Sequence, residues 1–383
     1  MSRKLLPLSF TAAMAGSTAT ADVPSVAVDI APVHSLVARV MEGVGSPNLI
    51  VQPGASPHEY SLRPSEAAAL QDADLVFWMG EDLTPWMADA VNNLAGNAAI
   101  TTLLEADVTI LLEFREGALF EAHAHDEHDE HDEHAHDEHD EHDEHEHDEH
   151  AHDEHDEHEH DEHAHDEHDE HAHDEHAHDE EGHDDDHEEH AHEDEHEGDH
   201  EEMAHDDHGH AHGDHDPHAW LSPENASSWM NLIAAQLSAA DTENAGTYFA
   251  NAAAGRAELE ALSAEVSETL DAVRGSHFIV FHDAYQYFEV AFDFPASGAI
   301  SLGDASDPSP ARVAEIQGRI REEGIDCVLA EPQYNPGLVA TVLDGTEANT
   351  GVIDPLGASL EPGPALYPQV IRDMAETLAE CLR

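Results

Sequence analysis

The amino-acid sequence predicts an α/β fold with two lobes, each built on a mainly parallel sheet flanked by helices and joined by a long rigid helix. Three observations lead to this prediction. Short apolar runs alternate with helical patterns in both halves of the chain, one uninterrupted helical pattern separates the halves, and a block of His, Asp and Glu interrupts the first half. The predicted boundaries are 22–240 for the N-terminal lobe, 241–274 for the linking helix and 275–383 for the C-terminal lobe.

The N-terminus has the three regions of a secretory signal peptide. Arg3 and Lys4 precede an apolar stretch over 5–16, and Ala19-Thr20-Ala21 forms a small-residue cleavage site. We therefore expect residues 1–21 to be removed after Ala21 and the mature protein to reside in the periplasm. No later run approaches the roughly 18 apolar residues of a spanning helix, so we expect no membrane insertion.

The first lobe alternates strands and helices from residue 23 to about residue 115. Its apolar runs predict strands at 25–30, 48–51 and 74–79, and its helical patterns predict helices at 33–42, 63–71 and 85–94.

Residues 121–216, which we call the acidic histidine tract, break the pattern of a folded lobe. They hold 48 of the 87 acidic residues, 33 of the 38 histidines and no Lys or Arg. Repeats such as His-Asp-Glu-His leave almost nothing apolar to bury, which predicts a disordered surface insertion in the absence of metal. An insertion of this length costs little loop-closure entropy.

Imidazoles at the density found in the tract form many overlapping weak metal sites. The predicted accessory ligands include His123, His125, His128, His131, His134, His136, His208, His210, His212 and His215. The alternative is that the tract is only a solvated acidic spacer.

After the tract, a helix is predicted over 225–239 and a long helical pattern runs over 242–273. Within the long pattern, Leu259, Leu262, Val266, Leu270 and Val273 form one apolar stripe. A helix of this length extends roughly 45 Å and can serve as a stiff connector. In the second lobe, strands are predicted at 277–281, near 299, at 327–330 and at 351–353, with helices at 309–323, 338–343 and 367–382.

Charge and cysteine content limit the partners and the compartment. Outside the tract, 39 acidic residues stand against 12 basic ones, a balance that repels phosphate backbones and excludes nucleic acid as a partner. The chain has two cysteines, Cys327 and Cys381. An exported chain meets an oxidising environment, which favours a disulfide between the terminal helix and a buried strand, with two free thiols as the alternative.

Three of the five histidines outside the tract lie in loops next to predicted strands or helices. They are His58, His218 and His282, and Asp354 also follows a predicted strand. Ligands collect at the carboxyl ends of parallel strands, so these side chains can converge on one cleft. Three imidazoles with a carboxylate or a water form a tetrahedral set that suits Zn²⁺.

Several residues near these histidines have simpler explanations or supporting roles. Glu59 and Asp283 could orient imidazole rings through the second ring nitrogen. His34 is predicted to be a partly exposed residue that caps a helix, and His277 to face solvent ahead of a strand. The tryptophans are predicted to be core or cleft-wall residues; they are Trp78, Trp86, Trp220 and Trp229. Because a single histidine is more often a surface or packed residue than a ligand, the residues alone leave the ligand set open.

Four segments resemble the ligand loops of the periplasmic metal-binding proteins of zinc and manganese ABC importers, and most closely the zinc-binding, ZnuA-like branch. The segments are Gly54-Ala55-Ser56-Pro57-His58-Glu59-Tyr60, Asp216-Pro217-His218-Ala219-Trp220-Leu221, Phe281-His282-Asp283-Ala284-Tyr285 and Asp354-Pro355-Leu356-Gly357. Ala330-Glu331-Pro332-Gln333-Tyr334 and the pair of cysteines are also similar to that branch. The resemblance covers nearly the whole chain outside the tract.

The resemblance implies a metal site in the cleft between the lobes, with His58, His218 and His282 as ligands. The fourth ligand is Asp354, Glu59 or a water, because Pro57 stands where some zinc-binding relatives carry a carboxylate. The function implied is capture of Zn²⁺ as a transported ligand and its delivery to an inner-membrane zinc ABC permease, by a monomer without catalysis. The tract would collect zinc at low affinity.

Two other functions are compatible with the residues. One is a periplasmic zinc buffer or chaperone, in which the tract is the working part. The other is a zinc hydrolase, since three histidines and an open coordination position can activate water. The second is disfavoured because no His-Glu-x-x-His pair accompanies the histidines.

Overall fold

The computed structural model describes residues 23–115, 120, 215–301 and 308–383. The predicted signal peptide and the tract up to residue 214 lie outside the described residues. Of the tract, only its last two residues, His215 and Asp216, are described.

The first lobe is a parallel sheet covered by helices. Its elements are β1 (Val26–Val28), α1 (Ala31–Val40), β2 (Asn48–Leu49), α2 (Pro64–Gln71), β3 (Leu75–Trp78), α3 (Pro85–Leu94) and β4 (Ala99–Thr102). The strand order is β2-β1-β3-β4, and every pairing is parallel. The central strands β1 and β3 are buried along their whole length, which explains their continuous apolar sequence.

The second half begins with two helices and continues into a sheet of the same topology. After a 3₁₀ turn (Ala219–Leu221) come α4 (Pro223–Ala240), α5 (Ala245–Asp271), β5 (Phe278–His282), α6 (Gln286–Phe292), β6 (Ala299–Ser301), α7 (Pro310–Glu323), β7 (Cys327–Ala330), α8 (Pro336–Leu343), β8 (Asn349–Val352) and α9 (Leu366–Cys381). The order β6-β5-β7-β8 is again all parallel. The predicted α/β fold with two parallel sheets is therefore confirmed.

Local sequence explains where several helices begin. Ser222 accepts a hydrogen bond from the backbone of Asn225 at the start of α4, and Ser309 does the same for Arg312 at the start of α7. Proline occupies the first turn of both helices, where its missing N–H costs no helical hydrogen bond. The cap at Ser222 fixes the point at which the chain leaves the loop that carries His218.

The long helix α5 has 27 residues and extends roughly 40 Å. The predicted stripe is buried: Leu259, Leu262, Val266 and Leu270 all lie on its covered face, and Val273 is buried just beyond its end. The helix starts three residues later than predicted because Asp241, which ends α4, accepts hydrogen bonds from Asn244 and forms a turn there.

One apolar core runs through both lobes. It includes Val28 and Phe77 of the first sheet, Val280 and Leu329 of the second, and the buried faces of α1, α4, α5 and α9. Two smaller clusters lie on the other faces of the sheets, against α2 and α3 in the first lobe and against α7 and α8 in the second. Each sheet therefore has helices on both faces, as a buried parallel sheet requires.

Polar contacts join the two lobes close to their strand ends. Tyr367, in α9, donates its backbone N–H to Ser35 Oγ in α1 and its hydroxyl to the carbonyl of Trp220. Trp220 in turn donates its indole N–H to the carbonyl of Pro355. The predicted residue boundaries of the lobes stay a prediction, since the shared core marks no border between them.

The predicted disulfide is confirmed. Cys327 in β7 is bonded to Cys381 at the end of α9, across 54 residues of sequence. Within the described ranges, no helix is long and apolar enough to span a bilayer.

Candidate metal site

The three histidines singled out by sequence meet at one point of the structure. Candidate ligand atoms of His58, His218 and His282, one from each ring, all lie within 4.8 Å of one another. The ring centroid of His218 is 5.5 Å from that of His58 and 5.4 Å from that of His282. His218 and His282 are buried and His58 is half-buried, so the group is open on one side.

His58 lies in the loop that follows β2. The loop turns at Gly54, whose φ of +84° favours glycine, and the backbone N–H of His58 donates to Ser56 Oγ. Trp86 in α3 donates its indole N–H to the carbonyl of Pro57 at 2.7 Å. This bond holds the peptide just before His58 against a helix of the same lobe.

His218 is oriented by Asp216, the last residue of the tract. Asp216 Oδ1 accepts hydrogen bonds from the backbone N–H of His218 at 2.9 Å and from its ring Nδ1 at 2.7 Å. Since a carboxylate can only accept, the ring proton is on Nδ1 and the lone pair that could bind a metal is on Nε2. Asp216 is only 1% exposed and is therefore a buried residue of the lobe. The composition of the sequence around it had placed it in the tract instead.

His282 ends β5 and is oriented in the same way by Glu331. Its Nδ1 lies 2.6 Å from Glu331 Oε1, and both side chains are buried. Glu331 follows β7, the strand next to β5 in the sheet. Adjacent parallel strands thus supply the imidazole and its carboxylate from positions 49 residues apart.

Aromatic and apolar side chains line the rest of the cleft. The Trp220 ring lies 5.2 Å from that of His218, and the Tyr334 ring lies 5.3 Å from that of His282. Pro57, Pro355 and Leu356 complete the wall. Low polarity around the imidazoles strengthens their interaction with a cation. The prediction for the tryptophans is confirmed for Trp220 as a wall residue and for Trp78 and Trp229 as buried core residues.

Asp283 does not take the predicted role of orienting an imidazole ring. Its carboxylate is bound by Arg115, which also binds Glu289. Burial raises the pKa of both Asp283 and Glu289, and the guanidinium of Arg115 opposes that rise. The rings of His218 and His282 are oriented by Asp216 and Glu331 instead, and Glu59 is exposed.

The structure does not bring Asp354 into the group of three imidazoles. Its two oxygens accept backbone N–H bonds from Leu356, Gly357 and Ala358, and Gln333 donates a further bond. The carboxylate therefore shapes the turn that carries Pro355 and Leu356 to the cleft wall. The fourth ligand stays a prediction.

The two remaining histidines of the folded part lie away from the site. His277 is exposed, as predicted. His34 is not a partly exposed cap: it is buried inside α1, its Nε2 is 3.1 Å from the carbonyl of Pro47, and burial lowers its pKa. Ile30 precedes the helix in the capping position.

Nine of the ten named accessory histidines lie outside the described residues, so their metal-binding role stays a prediction. The tenth, His215, is half-buried and forms an antiparallel bridge with Glu113.

Sequence reasoning missed three residues of the site. Asp216 carried a usable signal, its spacing of two residues from His218, and Glu331 carried another, its place directly after a buried strand. For Arg115 the only signal was its position as the single cationic residue shortly before the tract. None of these signals identifies the partner, because each partner is brought close by the fold.

Comparison with known proteins agrees with this geometry. The family model described as "Zinc-uptake complex component A periplasmic" matches residues 26–381. The high-affinity zinc uptake system protein ZnuA of Brucella abortus (strain 2308) is 40% identical over 377 residues, which are 98% of this chain and 97% of that protein. The protein of the same name from Paracoccus denitrificans (strain Pd 1222) is 40% identical over 365 residues, or 95% and 93% of the two chains.

A solved structure described as a crystal structure of ZnuA has the same fold. Its TM-score is 0.63 at 17% sequence identity, and the match covers 94% of this chain and 100% of that one.

Proposed function

The chain belongs to the ZnuA family of periplasmic components of zinc-uptake complexes, and from that premise we propose that it captures Zn²⁺ in the cleft and delivers it to an ABC permease. The observation that carries this proposal is the convergence of His58, His218 and His282, with candidate ligand atoms within 4.8 Å of one another. Zn²⁺ is the substrate of this process and is bound reversibly.

The donor set supports zinc over harder cations. Three imidazole nitrogens suit Zn²⁺, whereas Mn²⁺ and Mg²⁺ prefer carboxylate and water oxygens. Asp216 and Glu331 act behind the rings of His218 and His282. We assign the fourth coordination position to water, because Asp354 is engaged by backbone N–H groups.

The same carboxylates weigh against hydrolysis. A zinc hydrolase needs a general base that reaches the metal-bound water. The buried carboxylates closest to the imidazoles, Asp216 and Glu331, are hydrogen-bonded to the ring nitrogens. We propose that the protein is not an enzyme, and turnover of ester or peptide substrates by the zinc-loaded protein would contradict this.

We further propose that the tract is an accessory collector of zinc. Arg115, which precedes the tract, and the last two residues of the tract, His215 and Asp216, lie beside the cleft. Weak sites tethered at such a point raise the local zinc concentration near the tight site. The proposed state is a periplasmic monomer, released by cleavage after Ala21, that docks on an inner-membrane permease.

The test is zinc uptake by a strain that depends on this protein, grown in zinc-poor medium. A His58→Ala variant with the tract intact should fail to support growth, while the wild-type protein should support it. Normal growth of the variant would instead favour a zinc buffer, in which the tract is the working part. A His277→Ala variant, altered at an exposed histidine outside the cleft, is the matched control and should grow as the wild type does.

A further inference from the structure

Arg115, which lies shortly before the tract, forms ion pairs with two carboxylates, Asp283 and Glu289. Its Nε donates to both oxygens of Asp283, at 3.0 and 3.1 Å, and its NH2 group also donates to Asp283 Oδ1. Its two terminal nitrogens bind the oxygens of Glu289, at 2.6 and 3.1 Å. The guanidinium therefore serves two carboxylates at once, a geometry that lysine cannot reproduce.

Both carboxylates belong to the segment that follows the metal-site residue His282. Asp283 is the next residue, and Glu289 lies in α6, where it also accepts a hydrogen bond from the backbone of Ala296. The side chains of Asp283 and Glu289 are 7% and 4% exposed. Arg115 is the cation that contacts both of them, and burying two carboxylates without a cation costs free energy.

A second contact ties the same helix to the other end of the tract. Leu112 donates its backbone N–H to the hydroxyl of Tyr287 in α6, and that hydroxyl donates to the carbonyl of Asp216. Asp216 is the residue that orients His218. The segment 112–115 is thus hydrogen-bonded to α6 and to Asp283, which follow His282, and through Tyr287 to Asp216, which orients His218.

Phe120 covers the other side of the Arg115 group. Its ring centroid lies 3.6 Å from the guanidinium carbon, a cation–π contact. Phe120 is one residue before the start of the tract at residue 121. Arg115 therefore lies between Phe120 and the segment that follows His282.

We propose that Arg115 is a positioning residue for zinc capture, which holds the segment after His282 in the register that lets its imidazole meet those of His58 and His218. The same ion pairs fasten Arg115, which precedes the tract in sequence, beside the cleft. This inference rests on the proposed function, because it assigns a residue that sets the affinity of the same site. Loss of Arg115 should weaken zinc binding in the cleft and speed zinc release.

The test uses the full-length mature chain and an Arg115→Met variant. Zinc affinity is measured by competition with a strong chelator, at free zinc concentrations that leave the weak tract sites unloaded. The change in tryptophan fluorescence on adding zinc, to which Trp220 contributes because its ring lies 5.2 Å from that of His218, reports on the cleft, and the tract contains no Trp. Arg256→Met, at an exposed arginine of α5, is the matched control and should bind zinc as the wild type does.

A triple variant separates positioning from simple charge compensation. Arg115→Met alone leaves two buried carboxylates without their cation, so it should lower the unfolding midpoint as well as zinc affinity. In Arg115→Met with Asp283→Asn and Glu289→Gln, the charges are removed together and the unfolding midpoint should largely recover. If Arg115 positions His282 through its forked bonds, the zinc affinity of the triple variant stays at least tenfold below that of the wild type.

Three results would overturn the inference. Arg115→Met could bind zinc within twofold of the wild type, or the triple variant could regain wild-type affinity, which would make Arg115 a stabilising residue only. The third result, equal fluorescence responses to zinc in the wild type and in His282→Ala, would overturn the proposed function together with the inference. Where His282→Ala abolishes the wild-type response, the first result overturns the inference alone.

Discussion

Glu331 and Asp216 are single residues whose effect on metal binding should be measurable, since each accepts a hydrogen bond from the Nδ1 of a candidate ligand. Such carboxylates fix the tautomer of the imidazole and raise its basicity. Their removal typically lowers metal affinity by about 10- to 100-fold.

We expect Glu331→Gln to weaken zinc binding in the cleft by about 10- to 100-fold, because an amide is a poorer acceptor for the Nδ1–H of His282. Chelator competition read by Trp220 fluorescence measures the change. Glu347→Gln, an exposed residue of the same lobe, should leave the affinity as it is. Unaltered affinity in Glu331→Gln would show that Glu331 does not tune the site.

Asp29, at the carboxyl end of β1, is a fully buried carboxyl group that accepts backbone N–H bonds from Ile30 and Met79. Burial raises its pKa from 3.8 to about 7. The folded protein therefore holds this proton between about pH 4 and pH 7, where the unfolded chain has released it. The stability that the protonated group provides is complete below about pH 4 and is lost as the pH rises through 7.

An Asp29→Asn variant removes this titration. We expect its unfolding free energy, relative to that of the wild type, to rise by several kcal/mol from pH 4 to pH 7.5. Urea denaturation across that range measures the difference. Asp82→Asn, at a half-buried residue in the loop after β3, is the control for general charge effects, and parallel pH profiles of Asp29→Asn and the wild type would contradict the prediction.

For single residues, the sequence identifies those whose role is visible in a local motif and misses those whose partner is distant along the chain. His58, His218 and His282 each sit in a short polar motif beside a strand or turn, and all three reach the site. Asp216 was assigned to the tract because its neighbours are acidic and histidine-rich. Glu331 meets His282 across 49 residues, a relation that depends on the strand order of the second sheet.

Among the elements, β7 and α9 are joined covalently, and β7 leads directly to Glu331. The bond closes 54 residues of sequence, for which the loop-entropy model gives a stabilisation of about 4 kcal/mol. Both cysteines are buried, so the bond is shielded from solvent in the folded protein.

Replacing both cysteines by alanine should lower the free energy of unfolding by about 2–5 kcal/mol. Urea denaturation of the Cys327→Ala and Cys381→Ala double variant measures the loss. Reductant added to the wild-type protein during unfolding should produce a similar loss, whereas reductant should not affect the double variant. Equal stability of the oxidised wild type and the double variant would contradict the prediction.

Sequence predicted the long and buried elements better than the short ones. The limits of α3 and β7 agree with the predictions, because proline begins the helix and an unbroken apolar run forms the strand. The edge strand β4 (Ala99–Thr102) was not predicted, since half of it is exposed and its sequence carries little apolar pattern. The seven-residue helix α6 was also missed, although it carries Tyr287 and Glu289 of the network around Arg115.

Across the whole molecule, positive charge is scarce and, beyond the predicted signal peptide, is carried by arginine alone. Lys4 is the only lysine in the sequence, and it lies in the predicted signal peptide. Arg39 of α1 and Arg372 of α9 each bind a glutamate of α5, Glu258 and Glu265, through two hydrogen bonds. With Arg115, these residues connect separate parts of a strongly acidic protein by forked contacts that lysine could not supply.

Removal of the tract tests whether the cleft binds zinc tightly by itself while the tract supplies additional weak sites. A variant that lacks residues 122–213 keeps Phe120, His215 and Asp216. We expect it to bind one zinc ion tightly with an unchanged Trp220 response, and calorimetry should show a lower total zinc stoichiometry than the wild type. Absence of a tight site in this variant would contradict the two-site proposal.

Acidity should act mainly on the zinc bound by the tract. Because only neutral imidazole binds metal, the stoichiometry of the full chain should fall as the pH drops below about 6.5. Calorimetric titrations at pH 7.5 and pH 5.5 measure this fall, and the truncated variant is the control that reports the cleft alone. An equal stoichiometry of the full chain at both pH values would contradict the prediction.

The antiparallel bridge between Glu113 and His215, continued by the hydrogen bond from the backbone N–H of Asp216 to the carbonyl of Leu112, places the segment that precedes the tract beside the last two residues of the tract. Because this contact lies outside the His-Asp-Glu repeats, we expect a change in the number of repeats to leave it in place. The same position is suited to grafting a fluorescent domain, which would turn the protein into a genetically encoded zinc sensor.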